Sequence, residues 1–397
     1  MNISRIVQSL EPSATLAMAA KAKALARAGK TVYDFSVGEP DFTTPAHICQ
    51  AAVAAMQEGH THYTVASGIP ELRQAVAKTY RERHGLPYAP EQVVVSNGAK
   101  HSLHNVFTAL CNPGDEVIIP APYWVSYAEL VKLTGAKPVI VETREAEDFK
   151  LSPAQLKAAI TPRSTILLLC SPSNPTGSLY SPEELEALAD VVLERKLLVV
   201  SDEIYERLIY GGNRFASFPT LQPELQERTI VVNGVSKSYA MTGWRIGWTL
   251  SPPNVAKAMA DLQSQETSNP SSISQYAALA ALEGPQQCVD EMLAEFAERR
   301  EFVKQRLGAI PKLSCGQMGG AFYAFVNIRA HLGRRYGGMA VANSAQWCLA
   351  LLDQQNVATV MGSAFGAEGY VRISYATSLE TLKAGFDRIE AFLRAAQ

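Results

Sequence analysis

The sequence has 397 residues, 47% apolar and 19% charged, enough apolar material for a large buried core and too much for a disordered chain. Its 36 basic and 38 acidic residues leave a net charge of −2, which argues against binding nucleic acid through bulk charge and leaves any anion selectivity to a local site. Arg5 and Glu11 interrupt any early signal-like run, no apolar run approaches a membrane span, and the six cysteines form no CxxC pair, so the expectation is a cytoplasmic protein with reduced thiols.

In chain order, an Ala-rich helix is expected over Ala14 to Ala28, stopped by Gly29, then a strand over Thr31 to Ser36 and a helix whose first residue is Pro45. From Gln92 the pattern alternates. Apolar strands are expected at Gln92 to Ser96, Asp115 to Pro120, Lys137 to Glu142, Thr165 to Cys170, Leu197 to Ser201, Thr229 to Asn233 and Arg245 to Leu250. Helices are expected from Ala99, from about Tyr123, and after Ser152-Pro153 and Ser181-Pro182, the last two opened by capping boxes. This reads as an α/β fold with a mainly parallel sheet sandwiched by helices, whose ligands bind where the strands end. After about residue 285 a long charged helix, a strand near Ala321 to Asn327 and further elements suggest a smaller α+β domain. The expected organisation is an arm over 1–44, a large domain over 45–285 and a small one over 286–397.

Some motifs fail. Ala24 to Thr31 approximates a phosphate-binding P-loop but lacks its first glycine and has helix and strand in the wrong order. No Gly-x-Gly occurs, and His101 with His104 lacks further metal ligands, so no metal is expected.

The informative stretch is Ser236-Lys237-Ser238-Tyr239-Ala240-Met241-Thr242-Gly243-Trp244-Arg245, just past the strand Thr229-Ile230-Val231-Val232. A lysine at a strand end can form a Schiff base with an aldehyde cofactor, and Arg245 can pair with a phosphate. Asp202 ends the run Leu197-Leu198-Val199-Val200-Ser201, where a buried carboxylate needs a partner. Taken alone, Lys237 reads as a surface charge and Asp202 as a helix cap.

The lysine segment resembles the pyridoxal-phosphate motif of class I/II aminotransferases of fold type I. Further signatures of that family follow in order: Gly38-Glu39-Pro40-Asp41, Tyr63, Gly98-Ala99-Lys100, Pro122-Tyr123-Trp124, Ser173-Asn174-Pro175-Thr176-Gly177, Ser201-Asp202-Glu203-Ile204-Tyr205 and Arg372. The chain is most similar to bacterial aspartate aminotransferases of the Iγ subgroup, some of which also use prephenate. The resemblance implies pyridoxal 5'-phosphate held by Lys237, its ring nitrogen paired with Asp202 and its face stacked on Trp124. It further implies hydrogen bonds to the cofactor from Asn174 and Tyr205, and a phosphate site from Gly98, Ala99, Lys100, Ser236 and Arg245. Tyr63 would complete that site from the second subunit of a homodimer. Substrate contacts would come from Gly38, Trp124, Asn174 and Arg372, the last binding the α-carboxylate. Lys100, with Ser13 and Thr15 of the arm, would meet a distal carboxylate or, for Lys100, the phosphate.

Three departures stand out: Gly234 where relatives carry Ser or Thr, Met361-Gly362 for Pro-Gly, and Gln317-Met318 for a Pro. The implied activity is a ping-pong transfer of an amino group from L-aspartate to 2-oxoglutarate, with amino acids and 2-oxo acids as partners and neither nucleic acid nor membrane involved. A prephenate-capable or aromatic aminotransferase is the alternative on the same scaffold. A non-catalytic cofactor-binding regulator is the alternative of another class.

Overall fold

The computed structural model describes residues 2–395. A seven-stranded sheet holds β2 (Val93–Ser96), β3 (Glu116–Ala121), β4 (Lys137–Glu142), β5 (Ser164–Cys170), β6 (Leu198–Asp202), β7 (Thr229–Gly234) and β8 (Gly247–Leu250), in the order β2-β8-β7-β6-β5-β3-β4. β1 (Tyr33–Asp34) lies earlier, in the arm. The pairs β7–β6, β6–β5, β5–β3 and β3–β4 are parallel, and β8 is antiparallel to both of its neighbours. Valine-rich β2 and β7 are buried along their whole length, as strands covered on both faces must be.

Alternate residues of each strand enter different cores. Val94, Ile119, Leu168, Val200 and Val232 pack with Leu103, Phe107, Tyr127 and Met259 on one face. Val93, Val95, Val231 and Leu250 meet Leu72, Val76, Tyr80 and Ala278 on the other, and Leu167, Leu169 and Val199 meet Leu185, Leu188 and Val192 further along. The boxes at Ser152/Gln155 and Ser181/Glu184 cap their helices as the sequence predicts.

A second sheet, antiparallel, is built from β9 (Ser314–Cys315), β10 (Tyr323–Asn327), β14 (Val360–Met361) and β15 (Tyr370–Ser374) in the order β14-β15-β10-β9. Between β10 and β14 come the hairpin β11 (Arg334–Tyr336) with β12 (Met339–Val341), and β13 (Val357–Ala358), which pairs in parallel with β1.

Several boundaries differ from the sequence expectation. The strand at Thr31 to Ser36 shrinks to Tyr33–Asp34, because β13 offers only Val357 and Ala358 as partners. Pro45 is the N-cap and the helix begins at Ala46. The helix expected from Tyr123 begins at Ser126, and the Tyr123 N–H instead donates to Phe365 O. Arg245 stands outside β8 with φ 57°, and its guanidinium donates to Thr242 O. The helices Pro70–His84, Pro253–Glu266 and Ser272–Glu283 have no counterpart in the expected elements.

Candidate active site

The carboxyl ends of β5, β6 and β7, the start of helix Ala99–Leu110, the arm and the second sheet enclose a cavity of about 330 Å3. Its walls include Ser13, Thr15, Gly38, Ala99, Lys100, Trp124, Asn174, Asp202, Tyr205, Ser236, Lys237, Arg245 and Arg372. Gly98 caps the adjoining helix from just behind Ala99. Tyr63 lies elsewhere, 89% exposed beside the cleft formed by residues 61–63 and 267–273. A larger cleft of about 820 Å3 runs past Glu142, Arg144, Glu145, Arg329 and Glu368. The smaller cavity is the better candidate, because perturbed titratable groups converge there.

At its floor, Asp202 Oδ2 accepts from Tyr127 Oη at 2.6 Å and Oδ1 from the Ile204 N–H at 3.2 Å. Burial pushes this carboxyl up to about 6, against the opposing pull of Tyr127, Ile204 and Lys237. Lys237 Nζ donates to Gly38 O at 2.7 Å. Burial pulls its ammonium down to about 8, Glu39 opposes this, Arg372 and Arg245 reinforce it, and Asp202 opposes it.

Arg372, on β15, is buried, with no carboxylate partner among the described residues. It donates from Nη1 to Asn174 Oδ1 at 3.0 Å and from Nη2 to Ser36 O at 2.6 Å, while Nε has no partner among the described residues. Its guanidinium lies over the Tyr323 ring at 4.5 Å. Tyr323 Oη meets Tyr205 Oη at 2.9 Å.

Gly98, at φ 87°, turns the chain from β2 into helix Ala99–Leu110, whose first N–H groups have no intrahelical acceptor. A Cβ on Gly98 would strike Arg245 Nη2, and one on Gly247 would strike the Ala99 nitrogen. Two glycines thus let a guanidinium and a helix N-terminus crowd together, an anion-binding arrangement. Lys100 stands one residue on, with Nζ 4.9 Å from the Trp124 ring centroid and its pKa lowered by burial and by Arg245. Ser13 caps the helix Ala14–Arg27, and the buried Thr15 Oγ1 has no partner among the described residues.

Sequence reasoning missed Tyr127 and Tyr323. Tyr127 follows Trp124 by three positions, and the two rings meet edge to face at 5.3 Å, so helical spacing was the available signal. Tyr323 comes from the second sheet and carries no local signal. His101 and His104 both turn toward Glu266, at 3.7 and 3.0 Å.

These groups suit pyridoxal phosphate: a deep, lowered-pKa lysine, a buried carboxylate with no ion pair among the described residues, an aromatic wall and an anion cradle. The model for aminotransferase class I and II matches residues 30–389. The chain is 50% identical to aspartate aminotransferase of Geobacillus stearothermophilus over 100% of both chains. The aspartate aminotransferase structure from Rhizobium meliloti superposes with a TM-score of 0.96 at 43% identity, covering 100% of both. That of Thermus thermophilus with maleate gives 0.93 at 41%, covering 99% of this chain and 100% of the other.

Proposed function

The chain belongs to the class I and II aminotransferases, and from that membership we propose that its cavity transfers the amino group of L-aspartate to 2-oxoglutarate, with pyridoxal 5'-phosphate as cofactor. The observation that carries this reading is the meeting of Lys237, Asp202, Arg372 and the Gly98–Arg245 cradle in one cavity.

Lys237 would hold the cofactor covalently and Asp202 its ring nitrogen. Trp124 would cover its face, and Asn174 and Tyr205 would bond its polar edge. Gly98, Ala99, Ser236 and Arg245 would receive the phosphate. When bound, the cofactor supplies an electron sink that weakens the substrate α-C–H bond.

Arg372 receives the substrate α-carboxylate. Its two N–H donors now rest on the neutral oxygens of Asn174 and Ser36, which an anion outcompetes. Gly38 lines the same wall, its backbone passing so close that a Cβ there would lie 2.8 Å from Tyr323 Oη. Freed from the cofactor, the neutral Lys237 amine takes the α-proton and returns it. Lys100, Ser13 and Thr15 face the distal carboxylate, which excludes neutral side chains by leaving Lys100 without a partner. The dicarboxylate reading is supported by the relatives' names and by maleate, a dicarboxylate, in the Thermus thermophilus structure.

Tyr63 serves the neighbouring site of a homodimer. Its 89% exposure, on a chain that also exposes Val53, Met56 and Val65, supports a covered surface there. The domains divide as 1–44, 45–285 and 286–397. The enzyme works in the cytoplasm, in keeping with its six free cysteines.

The deciding experiment is borohydride reduction of the yellow holoenzyme followed by peptide mapping. The label is expected on Lys237, and Lys237→Ala should abolish transamination. Recovery of the label on another lysine overturns the assignment.

A further inference from the structure

Lys237 must change charge during turnover: neutral to attack a carbonyl carbon, cationic after it accepts a proton. Its surroundings resist the cationic form. The amine is buried, and Arg372, Arg245 and Lys100 line the same cavity. Tyr205 and Tyr323, also facing it, are phenols whose pKa values burial raises, so they supply no charge. Asp202 is a carboxylate in the cavity, but the proposed function commits it to the cofactor ring nitrogen.

Among the described residues the other carboxylate acting on the amine is Glu39, an exposed side chain next to the residue whose carbonyl accepts from Nζ. Its Oε2 accepts from Thr242 Oγ1 at 2.7 Å, on the loop that carries Lys237 and Arg245. That loop is pinned to the same segment again at Thr44, whose Oγ1 donates to Ala240 O at 2.7 Å and accepts from Trp244 Nε1 at 3.0 Å. On its other side the segment is tied by Asp41 to Arg299 at 2.6 Å. The Thr242 bond therefore holds the exposed Glu39 carboxylate to the lysine loop, and it acts on Lys237 Nζ through space rather than by direct contact.

We propose that Glu39 is a positioning residue for the transamination lysine: held by Thr242, it acts with the Gly38 carbonyl as the counter-charge that stabilises the Lys237 ammonium between proton transfers. This rests on the reading of Lys237 as the cofactor lysine. Glu39 is also the largest charged influence on that amine, ahead of Asp202.

The test uses cofactor-free protein and follows the rate of pyridoxal phosphate capture against pH by stopped-flow absorbance. Only the neutral amine attacks, so the rate rises through the Lys237 titration. Glu39→Gln is expected to lower the midpoint by about half a unit at most, giving capture up to about threefold faster near pH 7, a shift kept small because the Glu39 side chain is exposed and screened by solvent. Thr242→Val, which frees the carboxylate without removing it, should shift the midpoint less and in the same direction. An unmoved or raised midpoint in a folded Glu39→Gln protein overturns the proposal. So does a uniform slowing at every pH, which a merely structural role would give. Covalent capture by Lys237→Ala would instead overturn the reading of the site itself.

Discussion

Asp202 and Glu203 are neighbours at the end of β6, 4% and 1% exposed, yet they serve opposite sides of the molecule. Asp202 faces the cavity with a phenol and one backbone N–H as its partners. Glu203 is surrounded by donors: Ser201 Oγ at 2.9 Å, Ser217 Oγ at 2.9 and 2.8 Å, and the Phe218 N–H at 3.2 Å. Burial raises both pKa values, to about 6 for Asp202 and to about 7 for Glu203, where Glu206 adds to the effect. The difference lies in satisfaction. Glu203 is paired on every side, as a structural carboxylate should be, whereas Asp202 has no ion pair among the described residues and keeps a side open, which is what the proposed pairing with a cofactor ring nitrogen needs.

The strongest way to break this contrast is Asp202→Asn. An amide cannot hold a ring nitrogen protonated, so turnover should fall on the order of 10²–10³. The cofactor-free protein should respond in the opposite sense. The folded-state pKa of Asp202 lies above its ordinary value, so the folded chain binds the extra proton between about pH 4 and 6. Stability therefore falls across that interval, and the ionised carboxylate remains a cost above pH 6. Asparagine removes that cost, worth up to about 3 kcal/mol at pH 8. Denaturant melts of cofactor-free protein at pH 5 and 8 check this. Near-normal turnover, or no gain at pH 8, would break the contrast.

The same logic separates cations. Arg300 is a structural cation, donating to Met318 O and Gln317 O. Among the described residues, Lys100 has only the Trp124 face and the neighbourhood of Arg245. If it meets a distal carboxylate, Lys100→Ala should lower kcat/KM for aspartate about 10–150-fold, the worth of a charge-assisted hydrogen bond of about 1.5–3 kcal/mol. Alanine and phenylalanine should lose little at saturating pyridoxal phosphate. An equal fall for all three donors would show that Lys100 does not select the side chain, and a loss of cofactor affinity would assign it to the phosphate.

The floor of the site was legible in the sequence because its residues follow apolar strands directly. Asp202 ends β6, Lys237 follows β7, and Ala99 starts the helix after β2, so a strand-end rule finds them. Residues that act by folding back from distant segments were not legible as partners. Tyr127 reaches Asp202 across 75 positions and Tyr323 reaches Tyr205 across 118. The Glu39–Thr242 bond spans 203. Boundaries failed for a related reason. Tyr123 is kept out of its helix by Phe365, and β1 is cut short by β13, both distant in the chain.

The smallest expected change in turnover comes from Glu203→Gln, the isosteric partner of the Asp202 substitution. The amide can still accept from Ser217 or Phe218 through one oxygen, but its NH2 faces hydroxyls that must rotate to accept. The loop at Ser217–Phe218 should therefore stay in place at a cost of about 1–3 kcal/mol near pH 5, where the wild-type carboxyl is protonated and pays no charge penalty. As pH rises through 7 the wild-type group ionises against burial and Glu206, so its stability falls while that of the amide does not. The stability difference should move in favour of Glu203→Gln between pH 5 and 8. Turnover should stay within about twofold of wild type, since no atom of Glu203 lines the cavity. Both amide variants thus relieve a buried charge at high pH, and only the one facing the cavity should disable the enzyme. A large loss of turnover in a well-folded Glu203→Gln protein would show that the two sides of β6 work as one unit.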